Sequence, residues 1–384
     1  MERDEIPGAS GTARGGLAGA LIDVDSLVRA VPERLRVFPS GGARAGALRT
    51  RLAALTGRLG LPEIDVVDGP DGLWSVELAL SRRLAAAGPE PAPVPAARAE
   101  LSRGPVMIPA SDGSPLRCWE AGPRDAPAVA LVTACGMPVG LAARWMRALS
   151  GDFRVVTWES RGLFAEPGGR GPAALGGHDL AAQAGDLAAV LDGFGIRRAH
   201  AMGLCGGAVV ALAAASGGDR VTSLSLWHGD YELGGAVPKT DHQRDVKSLL
   251  TMAARSVRKA AGLHRLMRRP AALDAMRADI AHHLIYPYAT PELLHRYGLL
   301  NGAIMSADSR PFLSAGQPVL VVTSGDDTTA HPAGSEYVAA RLPRATLAVR
   351  PHGDHLTAFD AGPELVALAG KFLHDVTASE RRGA

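Results

Sequence analysis

The stretch AHAMGLCGGAVVALAAAS, Ala199–Ser216, decides how this chain is read. A short apolar strand pattern runs into a tight turn and then into an Ala/Val-rich helical pattern. Gly203 and Gly207 stand two residues before and two residues after Cys205. A nucleophile carried on so sharp a turn needs tiny neighbours, because the backbone folds back on itself there. The helix beginning at Gly206 aims its positive end at the Cys205 sulfur, which favours thiolate over thiol. A buried cysteine with incidental glycines is the competing reading. In a chain with 46 glycines the five-residue pattern alone does not decide between them.

Working outward, strands and helices alternate from about residue 104. VMIPASDGSPLRCWEAG reads as a hairpin turning at Asp112–Gly113. AVALVTAC (128–135), FRVVTW (153–158), VTSLSLWHG (221–229), PVLVVTSG (318–325) and ATLAVRPHG (345–353) are strand patterns. GLAARWMRAL (140–149) and HDLAAQAGDLAAVLDGFG (178–195) are helical, the second ending at a glycine suited to a C-cap. Such alternation predicts a mostly parallel sheet covered on both faces. Nearly 90 residues without a strand pattern separate 221–229 from 318–325. The segments 245–269 and 291–305 within them are helical, which suggests a lid over the carboxyl ends of the strands.

A thiol that attacks a carbonyl needs a base, and the base needs an orienting acid. Pro351-His352-Gly353-Asp354-His355-Leu356 follows the last strand and offers two histidines. Gly325-Asp326-Asp327-Thr328 follows the strand before it and offers two adjacent carboxylates. A zinc set from His352, Asp354 and His355 finds no further ligands nearby.

Elbow, acid and histidine in this order resemble the α/β-hydrolase superfamily, over roughly residues 104–378. The resemblance implies a Cys205–His355–Asp327 triad. Gly-Asp-His-Leu leading into a terminal helix is similar to the motif that carries the base, which leaves His352 as a surface-loop histidine. The Gly-acidic-x lead to the acid is one residue short here. Asp327 is therefore favoured as the acid and Asp326 as the acidic residue before it. The oxyanion donors it implies are the backbone N–H groups of Gly206 and of Met137, in the loop Cys135-Gly136-Met137-Pro138. Cys135 stands where the family commonly has histidine, as a second reactive thiol or as a small buried residue shaping the loop. Within the superfamily, Cys205, TWESRG (157–162) and DTTAHP (327–332) resemble the cysteine-nucleophile, thioesterase-like acyl- or aminoacyltransferases of nonribosomal peptide assembly. That implies an acyl- or peptidyl-carrier protein thioester, or a small acyl substrate, as partner.

Composition sets the remaining bounds. The chain has 384 residues, 47% of them apolar and 21% charged, enough for a large core. A formal net charge of +2 argues against nucleic acid as the main partner. Cys118, Cys135 and Cys205 form neither a disulfide framework nor a zinc motif. Glu2, Asp4 and Glu5 occupy the place of a basic signal-peptide start, and no apolar run reaches the roughly 20 residues of a membrane span. A cytoplasmic protein is expected, without metal or cofactor. The expected organisation is an N-terminal helical region (1–87), a Pro/Ala-rich linker (88–103), the first part of the α/β core (104–232), a helical lid (233–312) and the second part of the core (313–384). Lys247, Arg255, Arg258, Lys259, Arg265, Arg268 and Arg269 place a basic face on the lid, which suits an acidic carrier protein or is a solvated helix face.

The expected function is acyl transfer through Cys205: one thioester exchanged for another is nearly thermoneutral, and thiols and amines outcompete water. An ester, lactone or amide hydrolase is the alternative among enzymes. A noncatalytic binding protein on the same fold is the alternative from another class. The sequence sets neither the acyl group nor the oligomeric state.

Overall fold

The computed structural model describes residues 16–39, 45–87, 104–169, 171–274 and 276–383. The linker expected over 88–103 lies outside the described residues.

The described residues build an eight-stranded sheet from β3 (Val106–Pro109), β4 (Pro115–Ala121), β5 (Ala128–Val132), β6 (Arg154–Trp158), β7 (Ala199–Leu204), β8 (Val221–Trp227), β9 (Val319–Ser324) and β10 (Ala345–Arg350). Their spatial order is β10-β9-β8-β7-β5-β6-β4-β3. All neighbours are parallel except β4, which runs antiparallel to both β3 and β6. The β3–β4 hairpin turns where Asp112–Gly113 predicts, with Gly113 at φ +81°. All six residues of β7 and of β9 are buried, as central strands covered on both faces require. Each large apolar side chain so buried contributes about 1.5–3 kcal/mol.

Helices cover both faces. They are α5 (Ala143–Leu149), α6 (Leu180–Gly193), α7 (Gly206–Ser216), α12 (Pro332–Arg341) and α13 (Pro363–Gly383). Asp179 caps α6 by accepting from the Ala182 N–H at 2.7 Å. Helix α7 lies in the middle of the core, and its small residues let it press against the sheet.

The insertion after β8 is helical: α8 (Asp241–Ala253), α9 (Val257–Met267), α10 (Ala281–Leu284) and α11 (Pro291–Ser306). The helical pattern over 245–269 is split in two. Ser256 leaves the helix and caps α9, accepting from the Lys259 N–H at 3.2 Å. Helix α11 lies across the carboxyl ends of β5 and β7: a Cβ added at Gly136 would sit 2.8 Å from the Tyr297 ring, and one at Gly206 would sit 3.4 Å from Asn301 Oδ1.

The N-terminal unit has α1 (Leu17–Asp23), α2 (Asp25–Ala30), α3 (Ala45–Leu59) and α4 (Ser75–Ala85). It also holds a two-stranded parallel sheet, β1 (Arg36–Val37) with β2 (Asp65–Val66), that helical periodicity does not predict. Buried Glu77 ties β1 to α4, accepting from Arg36 Nε and Nη2 at 2.9 Å each. This unit docks on the lid. The Ser75 N–H donates to the Arg268 carbonyl at 3.0 Å, and the Arg268 guanidinium stands 4.1 Å from the Trp74 ring centre. Among the described residues no helix is long and apolar enough to cross a membrane.

Candidate active site

Cys205 is the single residue between β7 and α7, at φ +55° and ψ −125°. A non-glycine residue there stores about 1–3 kcal/mol of strain, which the surrounding structure must hold in place. Its N–H donates to the Trp227 carbonyl at 2.9 Å, and its carbonyl accepts from Ala208 at 3.0 Å. The flanking glycines are required by close approach. A Cβ at Gly203 would lie 2.5 Å from Ala208 Cα, and one at Gly207 would lie 2.2 Å from the Val132 carbonyl oxygen. Cys205 as a residue is half-buried.

Beside this elbow the structure brings His355 and Asp327 together: Nδ1–H of His355 donates to Asp327 Oδ2 at 2.9 Å. Asp327 Oδ1 accepts from the N–H groups of Thr329 and Ala330, both at 2.9 Å, so the DTTAHP segment is the cradle of this carboxylate. Burial opposes ionisation of Asp327, but His228 and His355 outweigh it and hold the carboxyl well below its usual range. Burial likewise pulls the His355 imidazole down. The Cys205 thiolate and the Asp327 carboxylate reverse this and push it up to about 10. His355 Nε2 is buried and has no well-formed hydrogen bond among the described residues, although Cys205 raises it most, by charge and as a loose hydrogen-bond partner. Base and sulfur are thus adjacent without a closed hydrogen bond, a common arrangement before substrate arrives.

Asp326 and His352 lie apart from this cluster. They face solvent, 59% and 89% exposed, and their side chains stand 3.4 Å from each other. Asp354 caps the following turn through the Thr357 N–H at 3.0 Å. A zinc set from His352, Asp354 and His355 is therefore not assembled: the first faces water, the second is spent on a cap and the third is turned to Asp327.

The oxyanion loop departs from expectation at Met137. Its N–H donates to the Ala134 carbonyl at 3.3 Å, closing a local turn, so the donor assigned to Met137 is engaged within its own loop. The cause is the backbone at Gly136, at φ +78°, whose own N–H is held by Ser160 Oγ at 2.9 Å. The Val139 N–H donates to buried Glu159 at 2.9 Å. Glu159 and Ser160 of TWESRG therefore anchor this loop. Arg161 of the same segment is 1% exposed and pairs with Asp186 and Asp112. Gly206 begins α7 directly after the sulfur, where a helix N-terminus presents free N–H groups. Cys135 is buried, and burial above all pushes its thiol up to about 12, which suits a small residue shaping the loop. A cavity of about 30 Å³ beside it is lined by Thr133, Ser160, Arg161, Gln183 and Ile304.

Three residues near the site escaped the sequence reading. His228, at the carboxyl end of β8, donates from Nδ1 to Asp327 Oδ2 at 2.8 Å. Tyr297 and Asn301 of α11 lie over Gly136 and Gly206, with Asn301 Nδ2 donating to the Tyr297 hydroxyl at 3.1 Å. A wider hollow of about 450 Å³ opens on the acid side, between Asp327, Thr328, His331 and the start of α8 at Thr240–His242.

A second cluster, Asp23 with His282 and His283, brings three groups of metal-ligand type together. Arg83 Nε also donates to Asp23, at 2.6 Å, so a guanidinium already neutralises that carboxylate. The cluster forms a hydrogen-bonded latch between α1 and α10, in which burial above all pulls the His282 imidazole down to about 4.

No protein-family model matches the chain. In fold it is similar to a hydrolase from Pseudomonas aeruginosa PA01, at 24% identity and TM-score 0.54, over 70% of this chain and 98% of that one. It is also similar to the enol-lactonase from Burkholderia xenovorans LB400, at 21% identity and TM-score 0.54, over 71% and 100%. A thermophilic esterase from Thermogutta terrifontis gives 18% identity and TM-score 0.55, over 71% and 98%. Likeness at such identities speaks for architecture and not for substrate. With the strand order above, it establishes that this chain has the α/β-hydrolase fold.

Proposed function

We propose that the protein is an acyl-transfer enzyme working through a Cys205 acyl-enzyme. One observation carries the reading: His355, oriented by Asp327 through Nδ1, stands with an unpartnered Nε2 beside a cysteine on a strained elbow. With the imidazole pushed up to about 10 beside the sulfur, the proton rests on Nε2 and Sγ attacks the carbonyl carbon as the thiolate. The negative oxygen that results meets the N-terminus of α7, with Gly206 N–H as the first donor. Collapse breaks the bond to the leaving alcohol or thiol, which takes the proton back from His355. In the second half the acceptor gives its proton to Nε2 and attacks the thioester, which frees Cys205.

Two acceptors are supported by different observations. The structures similar in fold are named hydrolase, enol-lactonase and esterase, which supports water as acceptor and an ester or lactone as substrate. The sulfur nucleophile supports transfer to a thiol or amine, and a carrier-protein thioester in nonribosomal peptide assembly is the finer form of that reading. Of the two, hydrolysis has the support of the comparisons, whereas the carrier protein rests on the resemblance in sequence alone.

The test is turnover of p-nitrophenyl acyl esters and acyl-pantetheine, with and without an added thiol or amine. The proposal expects a burst of leaving group equal to the enzyme present, absent in Cys205→Ala. Product partition between water and the added nucleophile then names the acceptor. Leaving-group release at the wild-type rate in Cys205→Ala would sink it.

A further inference from the structure

Asp327 serves two histidines. Oδ2 accepts from Nδ1 of His228 at 2.8 Å and from Nδ1 of His355 at 2.9 Å, while Oδ1 takes two backbone N–H groups. An ionised carboxylate offers about four lone-pair sites, and all four are filled here. The rings of His228 and His355 stand 5.6 Å apart at 87°, so they approach one oxygen from different sides without stacking. His228 is fully buried and held at φ +49°, a strained setting for a side chain branching toward a carboxylate. Its N–H donates to the Val322 carbonyl at 2.8 Å, which fixes this conformation to β9, the strand that delivers Asp327.

The hydrogen-bond pattern dictates the tautomer. Beside a carboxylate oxygen Nδ1 must carry the proton, so Nε2 of His228 is bare unless the ring is charged. Nε2 finds no partner among the described residues. The bond to Asp327 needs only the Nδ1–H of the His228 ring and leaves Nε2 without a role in it.

We propose that His228 is a positioning residue for the acyl-transfer reaction: by sharing Oδ2 it fixes the Asp327 carboxylate and limits how tightly that carboxylate holds the proton of His355. This rests on the Cys205–His355–Asp327 reading above. The titratable groups facing His355 are Cys205 on the elbow, Asp327, His228 and, from α8, His242. Asp230 and Tyr231 follow His228 in the chain. Of these, His228 alone competes with His355 for the same oxygen.

The test compares the pH dependence of Cys205 alkylation by iodoacetamide in wild type, His228→Leu and His228→Asn, read by intact mass. Asn keeps a donor near the Nδ1 position and Leu does not. Loss of the competing donor strengthens the hold on the His355 proton. The alkaline step of the profile should therefore move up by about 0.5–1 pH unit in His228→Leu and stay at the wild-type pH in His228→Asn. An unmoved step in His228→Leu, or equal movement in both variants, overturns the proposal, since pure packing would give either. Should His228→Leu fail to fold, nitrogen NMR of wild type reads the tautomer directly: Nδ1–H supports the proposal and Nε2–H overturns it. Alkylation needs no acyl donor, so failure here is distinct from failure of Cys205 to become acylated.

Discussion

His355 and Asp327 meet through a 2.9 Å hydrogen bond between two buried side chains, 28 residues apart in the chain and carried by the loops after β10 and β9. The neighbouring Asp326, one residue away, is exposed and takes no part. Asp327→Asn should therefore lower kcat/KM for acyl esters by about 10²–10⁴-fold, because an amide no longer fixes the Nδ1–H tautomer. Asp326→Asn should stay within about twofold of wild type, as surface changes usually do. Steady-state kinetics of the two variants checks this, and a reversed order contradicts the assignment.

The same pair makes stability depend on pH. His355 is raised to about 10 from an unfolded value near 6.5. Its contribution is fully present below about 6.5 and is lost as pH rises through about 10. Asp327 is depressed, so its contribution is present above about 3.9 and is lost as pH falls through its folded value. Urea midpoints should accordingly fall on both sides of roughly pH 4–6.5. In Cys205→Ala the largest group raising His355 is gone, and the alkaline loss should set in at lower pH.

The N-terminal unit is held to the lid by Asp23, which lies 2.9 Å from His282 Nε2 and 3.3 Å from His283 Nε2. Asp23→Ala strands three mostly buried polar partners, including Arg83. A loss of about 1–3 kcal/mol in urea unfolding is expected. Limited proteolysis should then cut within residues 16–87 sooner than in wild type, and unchanged cleavage contradicts the latch.

Much of this was legible because it is local. The elbow needs two positions without a Cβ, and Gly203 and Gly207 write that need directly into the chain. The buried strands are short apolar runs, and the order of elbow, acid and histidine follows the strand order. The split of the lid helix at Ser256 was signalled by a capping residue that periodicity alone overrode. Other features depend on contacts between distant segments. His228 joins Asp327 across 99 residues, marked only by its place at the end of a strand. Met137 N–H turns to Ala134 because Ser160, from the next strand's end, holds Gly136. The docking of α4 on the lid is set by Ser75, Trp74 and Arg268, nearly 200 residues apart and without a shared pattern.

The most direct measurement is the mass of the protein after brief exposure to an acyl ester or acyl-pantetheine, with peptide mapping of the adduct. The expected result is one added acyl group, on the peptide containing Cys205, cleared by water or by an added thiol or amine and absent from Cys205→Ala. An acyl group on any other residue, or equal labelling of Cys205→Ala, would contradict it.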